Sequence, residues 1–423
     1  MSVKIEIGFT PGGASGPFFT LDDATKGVLD NDIYILGGEI LADVTEYVKS
    51  FEIGRGKSIE LDRFTAGGAT VAFNNETRAF DPTYELSPFY GQVKPKRRVR
   101  ISVDDIVQFD GTIDDWDIQY QLGGYSVAVA KATDATQNLA NIGLFDFFPD
   151  EELSGARVAS VLDAISWSAE KRDIDTGSTT LVSDLVADGT NSFQYLQQVA
   201  QSEPGDLFIS RDGKVKFTDR EALVTGETVL FTDEGDGIPY VDIQALFGSE
   251  LLFNNIIVTS SAGTATAVGE VSQSEYGVID YSLETLISTE EELGTFAEYL
   301  LGKYEEPQYR INSLTVNLKD LTTEQRADVL ALELGDIVGA VFTPAGIPPA
   351  IVNYAKVIRI DQSLSPANEI YSIGVEPIFG VTMILDNPVF GRLDAGYALG
   401  VPYNAWTLND TIYGRLSAGM AVS

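Results

Sequence analysis

Apolar and polar residues alternate one for one over much of the first third of the chain. Val44, Val48, Phe51 and Ile53 begin the pattern, and Ala69-Thr-Val-Ala-Phe73, Val99-Arg-Ile-Ser-Val103, Val107-Gln-Phe109 and Tyr125-Ser-Val-Ala-Val129 continue it. A period of two sends successive side chains to opposite faces of a strand. Strands this frequent, broken by Gly, Asn and Asp, predict a compact sandwich or barrel over residues 42–132. Asp110-Gly111, between Val107-Gln-Phe109 and Thr112-Ile113, predicts a tight hairpin turn. Two further β-like pieces, at 4–9 and 33–36, flank the Gly/Pro-rich run Pro11-Gly-Gly-Ala-Ser-Gly-Pro17, so the start of the chain is expected to form an arm.

Later the spacing becomes helical. Val158, Val161, Leu162 and Ile165 share one face of a helix that Ser154 can cap. A second helix starts at Ser192, carries Phe193, Leu196, Val199 and Ala200 on one face, and stops before Pro204. Leu207-Phe-Ile-Ser, the turn Arg211-Asp-Gly213 and Lys214-Val-Lys-Phe217 then predict a hairpin. Helices are also predicted over 290–304, capped by Thr289, and over 323–332, among strands at 310–318, 336–342, 356–360 and 369–375. The expected fold class is α+β and β-dominated. Its expected divisions are an arm with a repeat copy at 1–40, a first β-barrel-like domain at 41–140 and a small α/β domain at 141–235. A second β-barrel-like domain with helices follows at 236–380, and a repeat tail at 381–423.

That tail shares a motif with the arm. Leu21-Asp-Asp-Ala-Thr-Lys-Gly27-Val-Leu29-Asp30, Leu385-Asp-Asn-Pro-Val-Phe-Gly391-Arg-Leu393-Asp394 and Leu408-Asn-Asp-Thr-Ile-Tyr-Gly414-Arg-Leu416-Ser417 follow one pattern, L-[DN]-[DN]-x-x-x-G-x-L-[DS]. A unit this short cannot bury a core of its own and must lie against something else. Leu21, Gly27, Leu29, Leu385, Phe390, Gly391, Leu393, Leu408, Tyr413, Gly414 and Leu416 are therefore candidate subunit contacts.

Composition narrows the chemistry. The 423 residues contain neither cysteine nor histidine, which removes disulfides, thiolate catalysis, Cys/His metal sites and His-based triads. The net charge of −35 repels polyphosphate, so general electrostatic binding to DNA or anionic membrane is not expected. No apolar run approaches the ~20 residues that span a bilayer, and the N-terminus has no signal-peptide core.

Gly54-Arg-Gly56-Lys57-Ser58 resembles the end of a phosphate-binding loop, but Phe51 stands where that motif needs its first glycine. The following Ile-Glu-Leu-Asp-Arg-Phe alternates like a strand, with no helix N-terminus to hold phosphate. Asp104, Asp105, Asp110, Asp114, Asp115 and Asp117 crowd around Trp116 without calcium-loop spacing. No catalytic residue, cofactor or metal is expected. Five cations, Lys94, Lys96, Arg97, Arg98 and Arg100, fall within seven residues of a very acidic chain. They are either the solvated entry to a strand or a contact matched to an acidic patch on a neighbouring subunit.

The run from Ile53-Gly-Arg-Gly-Lys-Ser to Ala-Phe-Asp-Pro82 resembles the minor tail proteins of siphophages that infect actinobacteria. Ser87-Pro-Phe-Tyr-Gly-Gln-Val-Lys-Pro-Lys-Arg-Arg-Val-Arg-Ile101 and the stretch 191–220, with Ala200-Gln-Ser-Glu-Pro-Gly-Asp-Leu-Phe-Ile-Ser-Arg-Asp-Gly213, are similar to them too. So are Leu332-Glu-Leu-Gly-Asp-Ile-Val338 and Val357-Ile-Arg-Ile-Asp361, so the likeness spans 40–380. Within that family the segment order is similar to the tail-tip, or baseplate, hub. The resemblance implies a homotrimer whose paired barrels meet a sixfold tube. It also implies distal-ring or tube proteins above and other tip proteins below, passage of phage DNA without specific binding, and a place in the virion tail tip after assembly in the host cytoplasm. It brings no catalytic residues. A hexameric distal tail ring protein and a carbohydrate-binding or carbohydrate-cleaving receptor protein are the alternatives, the latter expected to show an aromatic groove with facing carboxylates.

Overall fold

The structure, a computed structural model, describes residues 2–9, 40–220, 229–235, 237–365 and 368–378. Fourteen of its strands join one sheet. Seven come from the first third: Val3–Phe9, Ile40–Asp43, Val48–Gly56, Thr65–Asn74, Arg97–Val103, Ile106–Tyr120 and Ser126–Thr133. Seven come from residues 229–377: Val229–Thr232, Ile238–Pro239, Asp242–Phe247, Tyr309–Asn317, Ile337–Phe342, Ile351–Leu364 and Glu369–Pro377. The alternation read from the sequence is real in Thr65–Asn74, where Ala69, Val71 and Phe73 face inward and their neighbours do not. The two halves meet at a seam. Val48–Gly56 runs antiparallel to Ile351–Leu364, with Gly56 opposite Arg359 and Phe51 opposite Leu364. One hydrophobic core crosses that seam, taking Phe51, Phe73, Phe80 and Phe109 from one side and Val316, Val357, Tyr371 and Ile373 from the other. Each such side chain contributes ~1.5–3 kcal/mol by leaving water. The fold is thus α+β and β-dominated.

Several local expectations change. Residues 3–9 are not part of an arm: Val3–Phe9 pairs with both Arg97–Val103 and Ile40–Asp43, and Ile5 and Ile7 are fully buried. Phe9 lies opposite Ile40 in the second of these pairings. The hairpin turn is at Asp104-Asp105, not Asp110-Gly111. Both aspartates have positive φ, 49° and 65°, as a two-residue turn between twisted strands requires. Asp110 and Gly111 instead lie inside Ile106–Tyr120, opposite Arg100 and Val99. Gly111 is there for space, because a Cβ would come within 2.6 Å of the Phe109 ring. Residues 59–64 are a turn rather than a strand. The preceding strand ends at Gly56, whose φ is +120° and whose missing Cβ would lie 2.1 Å from the Ile358 carbonyl oxygen. Ser154 is the first residue inside helix Ser154–Ala164 rather than its cap, and its hydroxyl donates to Glu203.

The remaining residues build two smaller units. In the first, helices Ser154–Ala164 and Ser192–Ser202 bury Val158, Val161, Leu162, Leu196 and Val199 with Leu207, Val215 and Phe217 of a three-stranded sheet. Asn191 caps the second helix through Gln194 N–H, and the chain turns at Glu203 before Pro204. The second unit lies inside the stretch expected to be one barrel-like domain. Strands Asn255–Ser260, Gly263–Val268 and Asp280–Glu284 form their own sheet, covered by helix Glu290–Tyr304. Ile256, Val258, Leu293, Phe296 and Tyr304 make a core of its own. Its ends meet, because Phe247 lies opposite Tyr309. Stretch 236–380 therefore holds two cores. Apolar alternation within each strand carries no mark of which sheet the strand will join.

Candidate assembly site

The basic run proves to be largely satisfied within the chain. Arg97–Val103 sends Val99 and Ile101 into the core and Arg98 and Arg100 to the other face. There both guanidinium groups converge on one carboxylate. Arg98 donates to both Asp110 oxygens at 2.8 and 2.6 Å, and Arg100 Nε donates to the second at 2.9 Å. Lys96 lies 2.7 Å from Asp114 and equally close to Gln137. Arg97 donates to the Gln92 carbonyl. Lys94 is exposed, while its carbonyl accepts from the Trp116 indole. The acids that crowd Trp116 in the sequence thus serve partly as counter-charges for this strand. The motif residues Leu21, Gly27, Leu29, Leu385, Phe390, Gly391, Leu393, Leu408, Tyr413, Gly414 and Leu416 lie outside the described residues.

Sequence reasoning passed over a second ionic group, where all four parts of the chain meet. Lys356 of the seam strand lies 2.7 Å from Asp206 of the α/β unit and 2.6 Å from Glu376 of the last strand. Lys57, just past Gly56, lies 3.1 Å from Glu376 and 3.6 Å from Asp206. Its ammonium also donates to the Glu60 carbonyl at 3.0 Å. Glu60 in turn takes Lys303 of the inserted unit at 2.8 Å and Arg310 at 3.6 Å. Lys57, Glu60, Asp206 and Glu376 are all buried. Burial alone would push Glu376 up, but Lys356, Lys57 and Lys303 override it and hold its carboxyl down to about 2. Burial likewise works against the Lys356 ammonium, and Asp206 and Glu376 raise it nonetheless. Glu333 makes a lesser bridge of the same kind, accepting from Arg55 at 2.7 Å and from the Arg211 backbone at 2.8 Å. Arg326 makes another, between Asp104 and Glu369 at 2.5 Å each. Buried pairs like these are costly to break from one side. They make the chain one body rather than beads on a string. Arg55 and Lys57 fall in the Gly54–Ser58 run, but their partners Glu333, Asp206 and Glu376 stand far off in the sequence, so no spacing announces the bridges.

A third feature did carry a signal, the run Phe145-Asp-Phe-Phe-Pro-Asp-Glu-Glu152. Phe147 is buried against Tyr195, whereas Phe145 and Phe148 are 66% and 60% exposed, and Leu185, on the loop that bonds to theirs through Asp184 N–H and the Pro149 carbonyl, is 76% exposed. Arg157 ties the two loops together. Fully buried, it donates to Glu152, to the Tyr195 hydroxyl and to the carbonyls of Asp150 and Val182. The Tyr195 hydroxyl donates on to Asp184, and Asp184 N–H to the Pro149 carbonyl. Burial and the Asp184 carboxylate raise the Tyr195 phenol well above its ordinary range, with Arg157 opposing, so it stays a donor. Where the α/β unit meets the first half of the sheet lies a cleft of about 250 Å³. It is lined by Lys96, Arg98, Asp110 and Lys171, with Asn138 and Gly213. Of the five sequence-predicted cations, Lys96 and Arg98 line this cleft, whereas Lys94, Arg97 and Arg100 do not.

No protein-family model matches the chain, and no curated protein matches it. Among solved structures, the tail protein from Neisseria meningitidis MC58 aligns with a TM-score of 0.58 at 9% identity, covering 89% of this chain and 97% of that one. The 43 kDa tail protein of prophage MuSo2 from Shewanella oneidensis aligns with a TM-score of 0.55 at 13% identity, covering 88% and 98%. At such identities the likeness is one of fold, and it extends over nearly the whole of all three chains.

Proposed function

We propose that the chain is a structural, non-catalytic component of a phage tail, and within the tail the hub of its tip. One observation carries the reading: a single chain holds two seven-stranded β-halves fused edge to edge through the seam. A tail must close a sixfold tube at a threefold tip. Three chains with two β-halves each offer six β-surfaces, which resolves the mismatch without a second protein. The full-length likeness in fold to two tail proteins supports the tail role, and the segments similar to minor tail proteins of actinobacterial siphophages support its finer placement. The hub then contacts distal-ring or tube proteins above and tip proteins below. A chain of charge −35 lets DNA slide past without adhering. Because buried ion pairs join the four parts of each chain, opening of the ring takes place between subunits.

Imaging of the intact tail tip with its symmetry resolved tests this. The hub reading expects three copies on the tail axis at the distal end of the tube. Six copies would favour a distal ring protein, and a position off the axis would remove both.

A further inference from the structure

We infer that the aromatic lip of the α/β unit is one half of the contact between copies of this chain, and that its receptor is the cationic cleft of the next copy. The inference rests on the ring reading and names the surfaces that close the ring. Phe145, Phe148 and Leu185 stand out from the surface on loops that a fully buried arginine holds in place. A large apolar side chain displayed on a rigid support loses little freedom on binding, which is how an anchor residue works. Its surroundings state what it can bind. Asp146, Asp150, Glu151 and Asp188 are exposed around it, and no Lys or Arg occurs from 132 to 156 or from 173 to 210. An acidic rim of this kind repels most of a chain of charge −35 and selects a cationic surface.

The same chain supplies one. Lys96, Arg98 and Lys171 line the cleft with Asp110 as the carboxylate among them, and exposed Lys171 has no ion-pair partner among the described residues. The lip and the cleft share no residue, so their union is heterologous: each copy gives one and receives with the other. Repeated head to tail, such a contact closes into a ring. The lip supplies apolar anchors and acid, the cleft supplies cations and space.

The experiment uses the full-length chain, with sedimentation velocity over a range of concentrations reading the assembly state. Lys96→Glu with Lys171→Glu reverses the cleft, and Asp146→Lys with Glu151→Lys reverses the lip. Each pair of changes is expected to raise the concentration needed for half-assembly by roughly tenfold or more, as facing like charges do. All four changes in one chain restore complementarity at every contact and are expected to recover assembly to within about threefold of wild type. Phe148→Ser with Leu185→Ser is expected to weaken assembly without rescue by any charge change. All these positions are exposed, and unchanged melting curves establish that the variants fold. Reversed pairs that still form the wild-type ring overturn this contact and leave the hub reading standing, as does a four-change chain no better than its parents. A wild-type chain that forms six-membered rings, or none, overturns the hub reading and this contact with it.

Discussion

Glu376 shows what a single residue does in this molecule. It is buried, yet it stays ionised down to about pH 2, against 4.5 for the ordinary side chain. The unfolded chain takes up this proton near 4.5 and the native chain only near 2. The contribution of Glu376 is therefore complete above that upper value and fades as pH falls toward the lower one. Replacing Glu376 by Gln leaves Lys57 and Lys356 short of a counter-charge and is expected to cost about 3 kcal/mol or more at neutral pH, read from urea unfolding as a lower midpoint. The gap between variant and wild type should close as unfolding is repeated from pH 5 toward pH 2. Arg157 is the corresponding residue in the α/β unit. Arg157→Ala should cost about 3–5 kcal/mol, since Glu152 and two carbonyls lose a donor. Proteolysis of the variant at the 145–153 and 182–188 loops should quicken before the rest of the chain is touched. Gly56→Ala combines a left-handed φ with a clash on the Ile358 carbonyl oxygen, so a loss of about 3 kcal/mol in the same urea measurement is expected.

At the scale of elements, what the sequence shows depends on how local the cause is. Helices Ser192–Ser202, Glu290–Tyr304 and Thr323–Ala331 are legible because their caps, Asn191, Thr289 and Thr322, and their apolar spacing all lie within a few residues. The hairpin between Arg97–Val103 and Ile106–Tyr120 was not. Asp104-Asp105 and Asp110-Gly111 are both reasonable turns in isolation, and the choice is made by Arg98, Arg100 and the Phe109 ring, which need Asp110 and Gly111 beside them. A turn with two left-handed aspartates remains strained. Asp105→Gly should stabilise the protein by about 1 kcal/mol, read as a higher melting temperature. Asp104→Gly should lower it, because Asp104 also accepts from Ser2 N–H and Arg326. The candidate site divides in the same way. A run of cations and a run of Phe and acid are visible in the chain, whereas the junction of Lys57, Lys356, Asp206 and Glu376 exists only once four distant stretches have folded together.

For the whole molecule, the described cores are complete by Pro377, before the two tandem copies of the repeat begin. Deleting residues 381–423 should therefore leave the melting temperature of the isolated chain unchanged, and loss of tail tips on complementation would then assign those copies to assembly. The seam has a further consequence, which concerns the ribosome. Val48–Gly56 is flanked on one side by Thr65–Asn74, made moments later, and on the other by Ile351–Leu364. Roughly 300 residues separate the seam partners, so at ~5–20 residues per second the nascent first half waits roughly 15–60 s with that edge open. An open edge of this length is a template for the wrong strand. A fragment ending after Thr133 should accordingly self-associate through residues 48–56, and a proline placed at Ile53 should suppress it. In the complete chain the partner arrives from its own C-terminal part, and synthesis itself decides when this edge becomes safe.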